Sequence, residues 1–290
     1  MSPGYRLLPQ VQGDGLLDDA KAAYNYARTL GGAPDRGVIV GGASAGTHTS
    51  NTNPWFKGLE SIQPWLTTYS NYSLLGFFMA TITAHHLAPK PLALLSITGI
   101  PTFQHPFFNS SYLIPPEPIS EEEVEPYLVG PATVGKTPYP PSVFYLERLL
   151  PSGAKNPDFE EPKQVLGMDP SQDPNRGLLY DYFLYLNAYE PLVSSVDPGY
   201  EWASNGSQVS RLAEWPVTVL IQGDADEDVK IDVCADTARW LGEEKGRLYV
   251  AKGKPHLFES AKFLEDRTPG MEAVRQALHA LDAAVAAARK

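Results

Sequence analysis

The stretch that decides the fold is GVIVGGASAG, residues 37–46, where a short apolar run leads directly into a Gly-x-Ser-x-Gly pentapeptide. The run Gly37–Val40 predicts a strand, and this pentapeptide after a strand is the signature of a nucleophile elbow. The serine of such a turn has an unfavourable backbone conformation, and small neighbours let the strand and the next helix approach. Ser44 is therefore the candidate nucleophile, with Gly42 and Gly46 as elbow glycines. Taken alone, the same cluster is more often a plain turn.

Two downstream segments share one organisation, an apolar strand followed by polar residues. The continuous β-branched run Val217–Ile221 predicts a buried strand, and the turn after it contains Asp224, Asp226 and Asp228. A shorter run, Arg247–Ala251, predicts another strand and is followed by a histidine at position 256. A serine, an acid and a histidine thus each follow the carboxyl end of a predicted strand, the edge where open α/β sheets collect their chemistry.

Five short motifs occur together in an order that one known family shares. In chain order they are Tyr5–Pro9, Leu16–Ala20 with its Asp-Asp pair, the Gly42–Gly46 turn, Gly223–Val229 and His256–Phe258. With them the chain resembles the α/β-hydrolases, and most closely the hormone-sensitive-lipase-like esterases called α/β-hydrolase fold-3. The resemblance covers roughly residues 3–46, 74–104 and 215–265. It implies a mostly parallel α/β sheet with flanking helices and an inserted lid.

The resemblance also implies a role for each polar residue. Ser44 would attack an ester carbonyl, and His256 would take its proton and later protonate the leaving alcohol. Asp226 would orient the imidazole and stabilise its protonated form. The neighbouring aspartates, two positions away on either side, compete for this role, but only Asp226 matches the Gly-x-x-Asp-x-x-Val spacing. The main-chain N–H of Ala45 would supply one donor of the oxyanion hole.

The sequence departs from the family in two places. It contains no His-Gly-Gly loop, which supplies the second oxyanion donor in the family, and Tyr5–Leu8 corresponds to the family's fourth strand. We therefore expect a sheet truncated at its N-terminal side, with the elbow strand at an exposed edge that could pair two copies in a homodimer. The second departure is an atypical insert, residues 47–72, which is either a lid insert or sequence from an incorrect gene model.

The remaining segments predict a hydrolase core, residues 1–103 and 216–290, and a lid segment, residues 104–215. The lid segment is rich in Pro and Tyr and breaks the alternation of strands and helices. Its aromatic residues could line an acyl pocket or form the lid's own core. Elements expected from pattern are helices at Asp14–Leu30, from Ser73 onward, at Ser120–Val129 after a capping box, at Cys234–Gly242 and at Met271–Ala287, and a strand at Leu92–Ile97.

Composition bounds the function. A net charge of −11 and a pI of about 5.0 argue against nucleic acid or an anionic membrane as a partner. The single cysteine, Cys234, permits no intrachain disulfide, and the chain shows no signal peptide. Leu74–Leu87 is too short to span a bilayer. We expect a soluble, cytoplasmic protein that needs no cofactor.

Metal binding is a weak alternative. His85 and His86 are adjacent, but neighbouring side chains on a helix point about 100° apart, and no carboxylate or thiol is spaced to join them. A helix end, where histidine suits the dipole, explains them better. His48 could compete as a base.

Three functions remain open. The first is a serine hydrolase that cleaves a carboxylic ester or lactone through an acyl-enzyme. The second is a catalytically impaired relative that binds a small hydrophobic ligand or a partner. The third is a peptidase of the same fold.

Overall fold

The computed structural model describes residues 4–30, 37–44, 76–135, 174–259, 264 and 266–288. In these residues a parallel sheet of four strands lies at the centre, and a two-stranded antiparallel pair lies apart from it. The strands are β1 (Tyr5–Arg6), β2 (Ile39–Ala43), β3 (Ala93–Ile97), β4 (Val134–Gly135), β5 (Val217–Gly223) and β6 (Gly246–Ala251). The central sheet has the order β2-β3-β5-β6, so β2 is an outer strand of the described sheet.

Helices cover both faces of this sheet. They are α1 (Gly13–Thr29), α2 (Gly76–His86), α3 (Glu121–Leu128), α4 (Leu178–Tyr185), α5 (Tyr189–Val193), α6 (Val209–Glu214), α7 (Ile231–Lys245) and α8 (Met271–Ala288). Leu94 and Leu220 face α2 and α7, whereas Ala93, Val219 and Ile221 face α8. In β3 and β5, neighbouring residues are thus buried on opposite faces, as in a sheet enclosed by helices. The prediction of a mostly parallel α/β fold is confirmed.

Several predicted elements are confirmed within a few residues. α8 begins at Met271 and buries Val274, Leu281 and Val285. The capping box before α3 forms as expected, since the main-chain N–H of Ser120 donates to the Glu123 carboxylate at 2.9 Å.

None of the described helices combines the length and the apolar content that a bilayer-crossing helix requires.

The position of the N-terminal strand differs from the expectation. Tyr5–Leu8 was predicted to form a strand of the main sheet, but only β1 is extended, and it pairs with β4, from the segment predicted to be the lid. Leu7 and Leu8 leave the strand and are fully buried. Arg6 forms an ion pair with Asp19 of α1 at 2.8 Å, so β1 is fixed to this helix instead of to a parallel neighbour.

The described parts of residues 104–215 contribute no strand to the main sheet and pack largely through aromatic side chains. Phe103 stacks on Tyr189 with ring centroids 4.4 Å apart, and Phe108 contacts Phe103 at 4.8 Å. All three rings are almost completely buried. The same buried cluster includes Leu16 of α1 and Phe78 of α2, so these aromatics share one core with the helices beside the sheet. Phe144, another aromatic residue of the predicted lid, lies outside the described residues.

Two glycines set the closest contact between the sheet and a helix. A Cβ atom added to Gly42 would lie 2.2 Å from the main-chain carbon and oxygen of Gly76, the first residue of α2. Gly42 is the last-but-one residue of β2 and stands two positions before Ser44. The close approach of strand and helix thus requires glycine, in agreement with the small residues expected around the elbow.

We expect Gly42→Ala to destabilise the protein by at least about 1–3 kcal/mol, because the methyl group would overlap main-chain atoms that cannot move independently. The measurement is the free energy of unfolding in urea. Gly206→Ala is the matched control, because nothing lies within 4 Å of a Cβ at that position. Equal stability of the two variants would contradict the close contact.

Candidate active site

Ser44 stands at the carboxyl end of β2 in a strained conformation. Its φ is +49°, in the left-handed region that non-glycine residues seldom adopt, and its main-chain N–H donates to the carbonyl of Ile97 at 3.0 Å. The side chain is turned toward the loop that follows β6, where Ser44 Oγ lies 2.6 Å from Nε2 of His256. A serine that only closed a turn would not need this strain, which is typical of functional sites.

His256 bridges Ser44 and Asp226. Its Nδ1 lies 2.7 Å from Oδ2 of Asp226, and the side chains of His256 and Asp226 are 6% and 0% exposed. An ionised carboxylate only accepts hydrogen bonds, so Nδ1 carries the proton and Nε2 is left as the acceptor for the serine hydroxyl. The structure therefore brings together the three side chains that the sequence analysis selected, from the ends of three different strands.

The Asp226 carboxylate has a hydrogen bond at each of its four acceptor positions. The main-chain N–H groups of Asp228 and Val229 donate to Oδ1, both at 2.9 Å. The side-chain amide of Gln222 and the imidazole of His256 donate to Oδ2, both at 2.7 Å. This set keeps a fully buried carboxylate in one orientation.

The electrostatics of His256 favour a proton. Burial alone would lower its pKa, but the negative charge and hydrogen bond of Asp226, with further contributions from Asp228 and Glu259, outweigh burial and raise the pKa above the ordinary value of histidine. The imidazole is thus suited to receive a proton and to hold it as a cation beside Asp226.

The two competing aspartates occupy other positions. Asp224 is exposed, and its carboxylate accepts from the main-chain N–H of Gly253. The carboxylate of Asp228 lies within 4.8 Å of the ligand atoms of Asp226 and His256, a spacing that could suit a cation. In the described residues, however, the nitrogen of His256 on this side already donates to Asp226.

Residues from the predicted lid contact residues 224–229, the turn that carries Asp226 and is called the acid loop below. The hydroxyl of Tyr180, in α4, donates to the main-chain carbonyl of Asp228. The next residue, Asp181, is 3% exposed, and burial together with the charge of Asp228 raises its pKa to about 7. Sequence reasoning missed Gln222, Tyr180 and Asp181, because none belongs to a motif.

Several predicted features cannot be placed. Ala45, Gly46, His48 and the whole insert 47–72 lie outside the described residues. The oxyanion donor at Ala45 and the second elbow glycine therefore remain predictions from the sequence.

The histidine pair is described and has other partners. The His85 ring lies 4.6 Å from that of Trp215 and accepts a hydrogen bond from Arg211. His86 Nε2 contacts the carbonyl of Val196 at 2.8 Å. Burial, with the nearby charge of Arg211, lowers the pKa of His85 well below its usual value. A neutral imidazole gains little from the helix dipole, so the dipole explanation is wrong for His85.

Comparison with solved structures identifies the fold. The chain is similar to an alpha/beta hydrolase superfamily protein from Enterococcus faecalis, with a TM-score of 0.50 and 14% identity over 97% of this chain and 76% of that one. A protein of unknown function from Staphylococcus aureus subsp. aureus Mu50 aligns with a TM-score of 0.44, at 12% identity over 98% and 76% of the two chains. No family model and no curated protein matches the sequence. The chain therefore has the α/β-hydrolase fold, which by itself leaves the reaction open.

We expect Asp181→Asn to stabilise the protein at pH 8. The folded-state pKa of Asp181, about 7, exceeds its unfolded value. The contribution of Asp181 to stability is therefore greatest below about pH 4 and is lost as the pH rises to about 7. The shift of about three units corresponds to an upper limit on the order of 4 kcal/mol.

The measurement is urea unfolding of the parent and the variant between pH 4 and 8. The same change at the exposed Asp282 controls for the loss of one charge. If the two proteins showed parallel stability curves over this range, Asp181 would already be ionised in the folded state.

Proposed function

We propose that the protein is a serine hydrolase that cleaves a carboxylic ester or a lactone. The observation that carries the proposal is the continuous hydrogen-bond chain from Ser44 through His256 to Asp226 at the carboxyl edge of the sheet. A nucleophile, a base in the correct tautomer and a buried acid at these distances are what acyl transfer needs.

The proposed reaction has two halves. As Ser44 Oγ attacks the carbonyl carbon, Nε2 of His256 accepts the hydroxyl proton, and Asp226 stabilises the imidazolium that forms. The imidazolium then protonates the leaving alcohol, which departs as the acyl-enzyme forms. In the second half, water attacks the acyl carbon while His256 takes its proton. The imidazolium then returns this proton to Ser44 Oγ as the bond between Oγ and the acyl carbon breaks, which releases the carboxylic acid.

The substrate class rests on the resemblance to hormone-sensitive-lipase-like esterases. Residues 104–215 would be a lid over the Ser44 side of the sheet, and the contact of Tyr180 with the acid loop supports that arrangement. The main-chain N–H of Ala45 would be one donor to the developing oxyanion. No metal or organic cofactor takes part in this mechanism.

The sequence also favours a second candidate, a catalytically impaired relative that binds a small hydrophobic ligand or a partner. These 290 residues contain no His-Gly-Gly motif that could supply a second oxyanion donor, and a site with one donor fewer typically loses about 10²–10³ in turnover. The two candidates differ in whether Ser44 is activated.

We expect the purified 290-residue chain to be labelled by a fluorophosphonate at Ser44. The labelled residue is found by mass spectrometry of peptides, and Ser44→Ala should abolish the labelling. No labelling of a folded sample would favour the impaired relative. Parallel ester and peptide panels then separate an esterase from a peptidase.

Asp226→Asn should reduce the rate of labelling by about 10⁴, because an amide at this position favours the wrong imidazole tautomer. Asp224→Asn is the matched control, since that carboxylate does not contact His256. A similar loss in both variants would show that Asp226 does not have the specific role of the acid.

We expect labelling to slow as the pH falls through neutrality. Only neutral His256 can act as the base, and its raised pKa places the acid limb of the rate above the value near 6.5 that is ordinary for histidine. The measurement is the labelling rate between pH 5 and 9. A midpoint well below pH 6 would contradict the predicted dominance of Asp226 over burial.

A further inference from the structure

We propose that Gln222 is a positioning residue of the hydrolase, which fixes the Asp226 oxygen that His256 uses and moderates the basicity of that oxygen. The inference rests on the proposed function. It assigns a role to a residue that is not one of Ser44, His256 and Asp226 and that belongs to none of the sequence motifs.

The amide of Gln222 can adopt only one orientation. Its Nε2 group donates to Oδ2 of Asp226 and to the main-chain carbonyl of Val229, both at 2.7 Å. Its oxygen faces the Cys234 thiol at 3.5 Å. A flipped amide would turn its oxygen toward a carboxylate and a carbonyl, which only accept hydrogen bonds, so chemistry settles the assignment.

This amide connects a rigid element to a turn. Gln222 is the last-but-one residue of β5 and is fully buried, whereas Asp226 lies in the turn after the strand. By donating to both Asp226 and Val229, the amide spans the two ends of the acid loop. The position of Oδ2 is therefore fixed by the central sheet as well as by the loop.

The two carboxylate oxygens have different partners. Oδ1 receives two main-chain N–H groups, which would remain in any variant that kept the loop. Among the residues that the structure describes, Oδ2 receives the Gln222 amide and the imidazole. Gln222 is thus the side chain whose removal changes the acceptor of His256 directly.

A hydrogen bond to the charged form of an acid stabilises that charge and lowers its attraction for a second proton donor. Without the amide, Oδ2 would carry more uncompensated negative charge, and the imidazolium of His256 would be more stable. The pKa of His256 should then rise, so that less of the neutral base would be present at pH 7.

The experiment compares Gln222→Met with Thr218→Val. Methionine has nearly the volume of glutamine but no donor. Thr218 is fully buried in the same strand. Its hydroxyl accepts from the indole N–H of Trp215 at 3.0 Å and donates to the carbonyl of Pro216 at 3.2 Å, so its replacement also removes a buried hydrogen-bond partner from two groups. Two quantities are measured in each protein: the titration of His256 by NMR, and the fluorophosphonate labelling rate from pH 5 to 9.

In Gln222→Met we expect the His256 titration and the acid limb of labelling to move to higher pH. Labelling at pH 7 should slow by about 10- to 100-fold, which is the range typical when a residue that orients a functional side chain by a hydrogen bond is replaced. Labelling should recover in part above pH 8, whereas a purely structural loss would lower the rate equally at every pH. Thr218→Val should show the parent titration and profile.

The possible failures can be told apart. If the parent is not labelled, the proposed function fails, and the NMR titration still tests whether Gln222 controls His256. If the parent is labelled but Gln222→Met keeps the parent titration and pH profile, the inference is overturned and the proposed function stands. If Gln222→Met does not fold, Gln222→Asn keeps a polar amide but is one methylene shorter, which withdraws the donor from Oδ2, and the His256 titration should again move to higher pH. An unshifted titration in that variant would overturn the inference.

Discussion

A carboxylate withdrawn from water must replace its hydration shell with protein donors, and Asp226 does so completely. Its four donors come from a strand, from two residues of its own turn and from the histidine loop. Gln222 and Val229 are fully or almost fully buried, so the carboxylate connects segments of the chain that packing holds in place. If the carboxylate lost its donors, His256 would lose both its orientation and its counter-charge.

The serine side of the site depends on a different constraint, which is steric. The backbone of β2 touches α2 at Gly42 and Gly76, and Ser44 projects at positive φ two residues later. Close approach and strain set the direction of the Ser44 side chain, whereas hydrogen bonds set that of the His256 ring. The two halves meet in the 2.6 Å contact between Ser44 and His256.

The sequence allowed the parts with strong local signals to be predicted. The apolar runs of β3, β5 and β6 and the small residues after β2 located the strands, and their order selected Ser44, Asp226 and His256. The pairing of β1 with β4 was beyond this reasoning, because two-residue strands separated by more than a hundred positions carry no periodicity. Gln222 was missed for another reason: a glutamine at the end of a buried strand has no pattern, and its importance depends on which acceptor it meets after folding.

The buried thiol of Cys234, beside Gln222, can serve as a chemical probe of local opening in the folded protein. Cys234 is the single cysteine of the chain, it is fully buried, and burial raises its pKa, so it is inert in the folded state. A thiol reagent can reach Cys234 when the packing around α7 opens, and an opening between α7 and β5 would also expose the Gln222 amide. The rate of alkylation would therefore report how often the support of the acid loop opens, on a time scale that no measurement of turnover resolves.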